Sequence, residues 1–265
     1  MRREIIKRHN YLLDFLPKLT QFVLKNYRKK NLKINLKGTI DLVTEADKGC
    51  EKLFISFLRK NFPDDHVLAE EGGSYDGKTP FKWIIDPLDG TTNFSQKLPL
   101  YAISIGIEDL ENKTMAAGII ALPSLGEVFH CIKTKGAFKN KKKIKVSSTN
   151  KLINSVVCTG FPYKNKETEL NSMINNLKSM IKNTRGVRRT GAAALDLCWV
   201  AEGKFDGFWE TKLNPWDIAA GSLLVEEAGG QFSDFSGKDS NPYVKTVLAT
   251  NGKIHKDFIK LLKKN

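Results

Sequence analysis

Trp83-Ile84-Ile85-Asp86-Pro87-Leu88-Asp89-Gly90-Thr91-Thr92-Asn93-Phe94 decides how this 265-residue chain is read. An apolar run ends in Asp86, Asp89 follows three residues later, and a glycine and two hydroxyl residues come next. The run predicts a β-strand that delivers carboxylates at its C-terminal end. Two carboxylates so close repel each other unless a cation sits between them. Carboxylates, a hydroxyl and a backbone carbonyl at a strand end are hard oxygen donors that suit Mg2+. Gly90 permits a close backbone approach to a ligand. A helical turn opening at Thr91 or Thr92 would face free N–H groups toward an anion. Phosphatases that form an aspartyl-phosphate keep one residue between their two acids. Here two intervene, so the pair reads as metal ligands and not as a nucleophile pair.

Upstream, residues 4–30 carry Leu12, Leu13, Leu16, Leu19, Phe22, Val23 and Tyr27 at helical spacing. They predict an amphipathic helix, interrupted or started afresh near Pro17. Residues 45–59, with Cys50, Leu53, Phe54, Phe57 and Leu58 on one face, predict a second helix, and 67–69 a short strand running into Glu70. Downstream, 102–107, 116–122, 128–132 and 144–146 predict antiparallel strands joined by turns. Beyond residue 150 strands and helices mix. Strands are predicted at 156–159, 187, 205–209, 231–233 and 247–250. Helices are predicted at 167–181, 192–201, 215–228 and 255–263. That rhythm implies α/β layering. Asp217 falls in the helix start Asn214-Pro215-Trp216-Asp217, where it reads equally as a helix-start acid or as a ligand. Asp47 has the same two readings. Glu210 ends a strand, either as a surface residue or as a contact, and the four tryptophans read as core groups.

The 43 Lys and Arg outnumber 29 Asp and Glu, for a formal charge of +14. With 41% hydrophobic residues the chain is not composed like a disordered one. No apolar run approaches the roughly 20 residues of a membrane-spanning helix. Glu4, Lys7, Arg8 and Asp14 break any signal-peptide core, so a soluble cytoplasmic protein is expected. Cys50, Cys131, Cys158 and Cys198 fit neither a zinc site nor a dense disulfide framework, and reduced, mostly buried thiols are expected. The four histidines are scattered. Residues 128–166 hold ten lysines and no acid. That stretch is either a patch for a polyanion such as nucleic acid or a solvated hairpin.

The Trp83–Phe94 segment, together with Trp216-Asp217-Ile218-Ala219-Ala220-Gly221 and Glu226-Glu227-Ala228-Gly229-Gly230, resembles the inositol monophosphatase family of Mg2+-dependent, lithium-sensitive phosphatases. Asp41-Leu42-Val43-Thr44 leading to Asp47, with Lys37 upstream, and Glu70-Glu71-Gly72 fit the same pattern, in the family's order. The resemblance implies a layered αβαβα sandwich of the inositol monophosphatase and fructose-1,6-bisphosphatase type. It implies an N-terminal α+β half over 1–145 and a C-terminal α/β half over 146–265. It implies two or three Mg2+ ions. Glu70, Asp86, the Leu88 carbonyl and the Thr91 hydroxyl would hold one, and Asp86, Asp89 and Asp217 another. Gly90, Thr91 and Thr92 would receive the phosphate, and Asp47 with Thr91 would direct the attacking water. Glu210 and the stretch Gly191-Ala192-Ala193 would meet the rest of the substrate, with Asp217 beside them. Ala192 departs from the Ser or Thr that members often carry. The activity implied is hydrolysis of an inositol phosphate, with fructose 1,6-bisphosphate or another sugar or nucleotide phosphate as the alternative. A homodimer is implied. Some bacterial relatives are implicated in transcription, which makes a regulatory RNA- or protein-binding role the alternative from another class.

Overall fold

The run at Trp83 is the centre of a nine-residue strand, Phe81–Asp89, with nearly every side chain buried on both faces. Trp83 and Ile85 point into one apolar core and Ile84 into another, the period-two alternation of a strand covered on both sides. The computed structural model describes residues 1–29, 34–36, 42–161 and 167–262. Lys37 and Asp41 of the family pattern lie outside the described residues, as do Lys164 and Lys166 of the basic stretch.

In chain order the elements are α1 (Arg2–Tyr27), β1 (Ile34–Leu36), β2 (Leu42–Thr44), α2 (Glu45–Asn61), β3 (His66–Ala69), β4 (Gly73–Tyr75) and β5 (Phe81–Asp89). Next come α3 (Thr91–Ser95), β6 (Ala102–Asp109), β7 (Thr114–Leu122), β8 (Glu127–Ile132), β9 (Gly136–Lys139), β10 (Lys142–Lys143), β11 (Val156–Thr159) and α4 (Glu167–Asn183). The chain continues with β12 (Gly186–Arg188), α5 (Ala193–Ala201), β13 (Gly207–Thr211), α6 (Pro215–Glu227), β14 (Gln231–Ser233), β15 (Thr246–Thr250) and α7 (His255–Leu262).

Eight strands form one sheet in the order β10-β9-β8-β7-β6-β5-β3-β4, and five form another in the order β12-β11-β13-β15-β14. Helices α1 and α2 cover the outer face of the large sheet through Leu12, Leu19, Phe54, Trp83 and Ile105. Helices α5 and α6 fill the space between the sheets with Leu195, Leu197, Ile218 and Leu224. Helices α4 and α7 close the far side of the small sheet around Val157, Met180, Leu248 and Phe258. The layers are therefore α, β, α, β, α. Among the described residues no helix is long and apolar enough to cross a membrane.

Helix α6 packs closely on β6 and β7 of the large sheet. Gly106 and Gly118 face each other across β6 and β7. A Cβ on Gly118 would stand 2.7 Å from the Ala220 carbonyl oxygen, and one on Gly106 would stand 3.0 Å from the Ala219 Cβ. Only hydrogen at these positions lets the helix come so near. All four cysteines are buried free thiols, as expected.

Three expectations differ. Pro17 does not break α1, which runs unbroken from Arg2 to Tyr27. Pro17 faces solvent, where water can take the carbonyl that the missing N–H leaves unpaired. Residues 144–146 form no strand, and the hairpin partner of β9 is instead the two-residue β10, reached through Asn140 and Lys141 at positive φ. Trp216 is only partly buried and lines the cleft described next, while Trp83 and Trp209 are core groups.

Candidate active site

The C-terminal end of β5 opens on a cleft of about 200 Å³ between the two sheets. Glu70 comes from the segment after β3, Asp86, Leu88 and Asp89 from β5, and Gly90, Thr91 and Thr92 from the turn into α3. Gly191, Ala192 and Ala193 come from the start of α5, Glu210 from β13, and Asp217 from the first turn of α6. Side chains spread over 147 positions of sequence thus meet in one place (70 to 217).

Local chemistry explains the position of each acid. The β5–β6 register shifts between Asp86 and Asp89, so the strand bulges where the two acids project. Gly90 follows at φ 88°, a left-handed conformation that a side chain disfavours, and starts α3 at Thr91. Asp217 is the third residue of α6, and its Oδ2 accepts the Asn214 N–H at 2.7 Å. Asp47 holds the same place in α2, where its Oδ2 accepts the Thr44 N–H at 2.8 Å. Both acids complete a capping box, and of the two Asp217 is a helix-start acid and a cleft-lining group at once.

Asp47 is buried and does not line the cleft. It reaches the cleft through Thr91, whose hydroxyl donates to Asp47 Oδ1 at 3.0 Å and also lies 3.1 Å from the Leu88 carbonyl oxygen. Asp89 has a structural duty that the sequence does not reveal. Ala192 caps α5 without any side-chain hydrogen bond. Asp89 Oδ2 instead accepts the Ala194 N–H at 2.7 Å, and the N–H groups of Ala193 and Gly90 also turn to its carboxylate. A carboxylate from 105 residues away does the work of the hydroxyl that Ala192 lacks.

The cleft is electrostatically strained toward cations. Burial, then the charges of Glu70, Asp89 and Asp217, holds the Asp86 carboxyl well above its ordinary range. Burial pushes Asp89 up to about 7, against the backbone N–H donors that favour its charged form. Burial and the Asp89 charge raise Asp217, and burial and the Asp196 charge raise Glu210. No positive side chain is among the main influences on Asp86, Asp89 or Asp217. Among the described residues no three His, Cys, Asp or Glu side chains are already drawn together into a closed metal cage. The expected ligands Glu70, Asp86, Leu88, Asp89 and Asp217 all line this one cleft. The fold's own hydrogen bonds hold each donor in place: Asp86 Oδ1 takes the Leu88 N–H at 2.8 Å, Asp89 and Asp217 take helix-start N–H groups, and the Leu88 carbonyl faces the Thr91 hydroxyl. The acids form a charge cluster rather than a closed cage. Their all-oxygen donor set and unbalanced charge still fit a hard divalent cation.

The sequence reading missed other members of the cleft wall, namely Gly160, Phe161, Arg189, Asp196, Lys212 and Trp216. Gly160 is the neighbour that fits Glu210, because a Cβ there would overlap the Glu210 carboxylate. A lone acid in the apolar run Ala192–Leu197 was the one available sign of Asp196, which is buried and accepts the Thr190 hydroxyl at 2.8 Å. Asn93 ties the halves of the cleft together. Its amide donates to the Leu100 carbonyl at 2.7 Å and to the Thr190 carbonyl at 2.9 Å.

The model of the inositol monophosphatase family matches residues 13–265. The chain belongs to the inositol monophosphatase family. It is 40% identical over 236 residues to the inositol-1-monophosphatase of Mesorhizobium japonicum, covering 89% of this chain and 88% of that one. It is 38% identical over 256 residues to the Nus factor SuhB of Pasteurella multocida, covering 94% and 93%. The crystal structure of the extragenic suppressor protein suhB from Bartonella henselae superposes with a TM-score of 0.91 at 36% identity, over 97% of this chain and 98% of that one. The layered fold is thus that of this phosphatase family.

Proposed function

We propose that the protein is a Mg2+-dependent phosphomonoester hydrolase whose substrate is an inositol monophosphate. The observation that carries this reading is the meeting of Glu70, Asp86, Asp89 and Asp217 in one cleft beside the Gly90–Thr92 turn. Bound there, two or three Mg2+ ions would supply Lewis acidity toward the phosphate and a water of lowered pKa. Glu70, Asp86, the Leu88 carbonyl, Asp89, Thr91 and Asp217 would hold them. Gly90, Thr91 and Thr92 receive the phosphate at the turn. Asp47 fixes the Thr91 hydroxyl, and that hydroxyl orients water for direct attack, so no covalent enzyme intermediate is needed. Glu210, Gly191, Ala192 and Ala193 face the alcohol half of the ester. The similarity to a relative named inositol-1-monophosphatase supports this substrate over fructose 1,6-bisphosphate or a nucleotide. Lithium inhibition, a cytoplasmic location, a homodimer and division into halves at residues 145 and 146 belong to the same reading.

Phosphate release from inositol 1-phosphate, fructose 1,6-bisphosphate and 3′-phosphoadenosine 5′-phosphate, with and without Mg2+, tests it. Inositol 1-phosphate should be turned over fastest and only with Mg2+, and Asp89→Asn should lose about a hundredfold or more. Undiminished turnover by that variant would remove Asp89 from the metal site. The name Nus factor SuhB on a relative supports a second, compatible role in transcription. Binding to transcription components that survives Asp89→Asn would show that such a role is separate from hydrolysis.

A further inference from the structure

The end of α6 opposite Asp217 borders a second cleft, of about 440 Å³. It is walled by the turn between β6 and β7, by the residue after β8, by the last turns of α6 and by the loop at 238–242. Each of three walls brings a lysine, namely Lys113, Lys133 and Lys238. Among the described residues none of their ammonium groups has a hydrogen bond or an ion pair at contact distance. Two acids, Glu226 and Asp239, share the cleft, and Lys133 is close enough to hold down the Glu226 pKa that burial raises. The balance is three positive charges against two negative ones, on a chain of formal charge +14.

The walls are not uniformly polar. Met115 and Leu223 are 7% and 2% exposed and give the cleft an apolar base. Asn241 has its Oδ1 fixed by the Tyr243 N–H at 2.9 Å, which leaves its amide N–H groups as donors. The volume lies within the roughly 300–1,000 Å³ usual for small-molecule pockets. Aromatic side chains are missing from the lining, so stacked single-stranded bases are not what this shape suits.

We propose that this cleft is a second ligand site, for a small molecule that carries a di- or triphosphate on an apolar or ring body. Three ammonium groups from separate elements match several phosphates better than one, and the apolar base accepts the ring. The proposal stands apart from the phosphatase reading, since no residue is shared between the two clefts.

Calorimetric titration with inorganic tripolyphosphate and with adenosine triphosphate tests it, in chelator and about 0.15 M salt so that surface charge is screened. One site per chain is expected, tighter for the nucleotide, at least about tenfold weaker in Lys113→Gln/Lys238→Gln and in Lys133→Gln. Asp89→Asn and the exposed-strand control Lys142→Gln/Lys143→Gln should bind as the parent does. Equal affinity in the cleft-lysine variants overturns the proposal, as does an equal loss in the control. Loss in Asp89→Asn would move the ligand to the first cleft. Binding of tripolyphosphate as tight as the nucleotide removes the ring from the proposal, and no binding of either at millimolar concentration ends it.

Discussion

Asp89 has two roles that pull apart under substitution. Its carboxylate lines the cleft and also caps α5 through the Ala193 and Ala194 N–H groups. Asparagine keeps an acceptor oxygen for those groups, and alanine keeps none. Asp89→Ala should therefore be less stable than Asp89→Asn by about 1 kcal/mol, the usual worth of a helix cap, while both lose hydrolysis. Paired denaturant melts in chelator read this, and equal midpoints would show that the cap contributes nothing. The acid itself was legible in the sequence from its place after an apolar run. Its service to α5 was not, because the partner is 105 residues away and is a backbone group that no residue type advertises. Asp47 shows the same limit. Its helix-start position was legible, but its burial behind Thr91 depends on how α3 lies against α2.

At the scale of the element, the decisive contact is that of α6 on β6 and β7. Gly118→Ala pushes a methyl to within 2.7 Å of the Ala220 carbonyl oxygen, which is backbone and has little room to yield. A destabilisation of about 1–3 kcal/mol is expected from such overpacking. Because α6 carries Asp217, activity at saturating Mg2+ should fall as well. A variant of parent stability and activity would show that the helix shifts freely. The long strands and the helices with a clear apolar face were legible, since burial on one side leaves a period in the chain. β4, β9 and β10 were not, because their mostly exposed or half-buried side chains leave no apolar run, whereas the equally short β11 and β14 are largely buried and were legible. β10 is also the edge of the large sheet, and its exposed Lys142 and Lys143 discourage another strand from pairing there. This gives part of the basic stretch a structural reason for its charge.

Across the whole molecule, pH acts through groups that the fold keeps neutral. His255 is buried at the start of α7, with Thr250 Oγ1 and Ser233 Oγ each 2.9 Å from its ring nitrogens, and burial lowers its pKa to about 4. The stability gained by keeping it neutral is full above the unfolded value near 6.5 and is lost as pH falls toward 4. Asp86, Asp89 and Asp217 run the other way, since a raised carboxyl pKa favours the folded state as protons bind. Comparison with His255→Gln isolates the histidine. The stability gap between parent and variant should shrink by roughly 2 kcal/mol from pH 7.5 to pH 5, at about 1.4 kcal/mol per pH unit below 6.5. A gap that does not change with pH would show that this ring is already charged or already wet.

The four sulfhydryls give the molecule a timer of its own. Cys50 lies in the layer behind the large sheet, and Cys131, Cys158 and Cys198 lie between the sheets. Burial holds every one of them far from ionisation, and alkylating reagents attack only the ionised form. The native protein should therefore react with maleimides and iodoacetamides far more slowly than the unfolded chain. The order in which the four become labelled under stress is a record of which layer separates first.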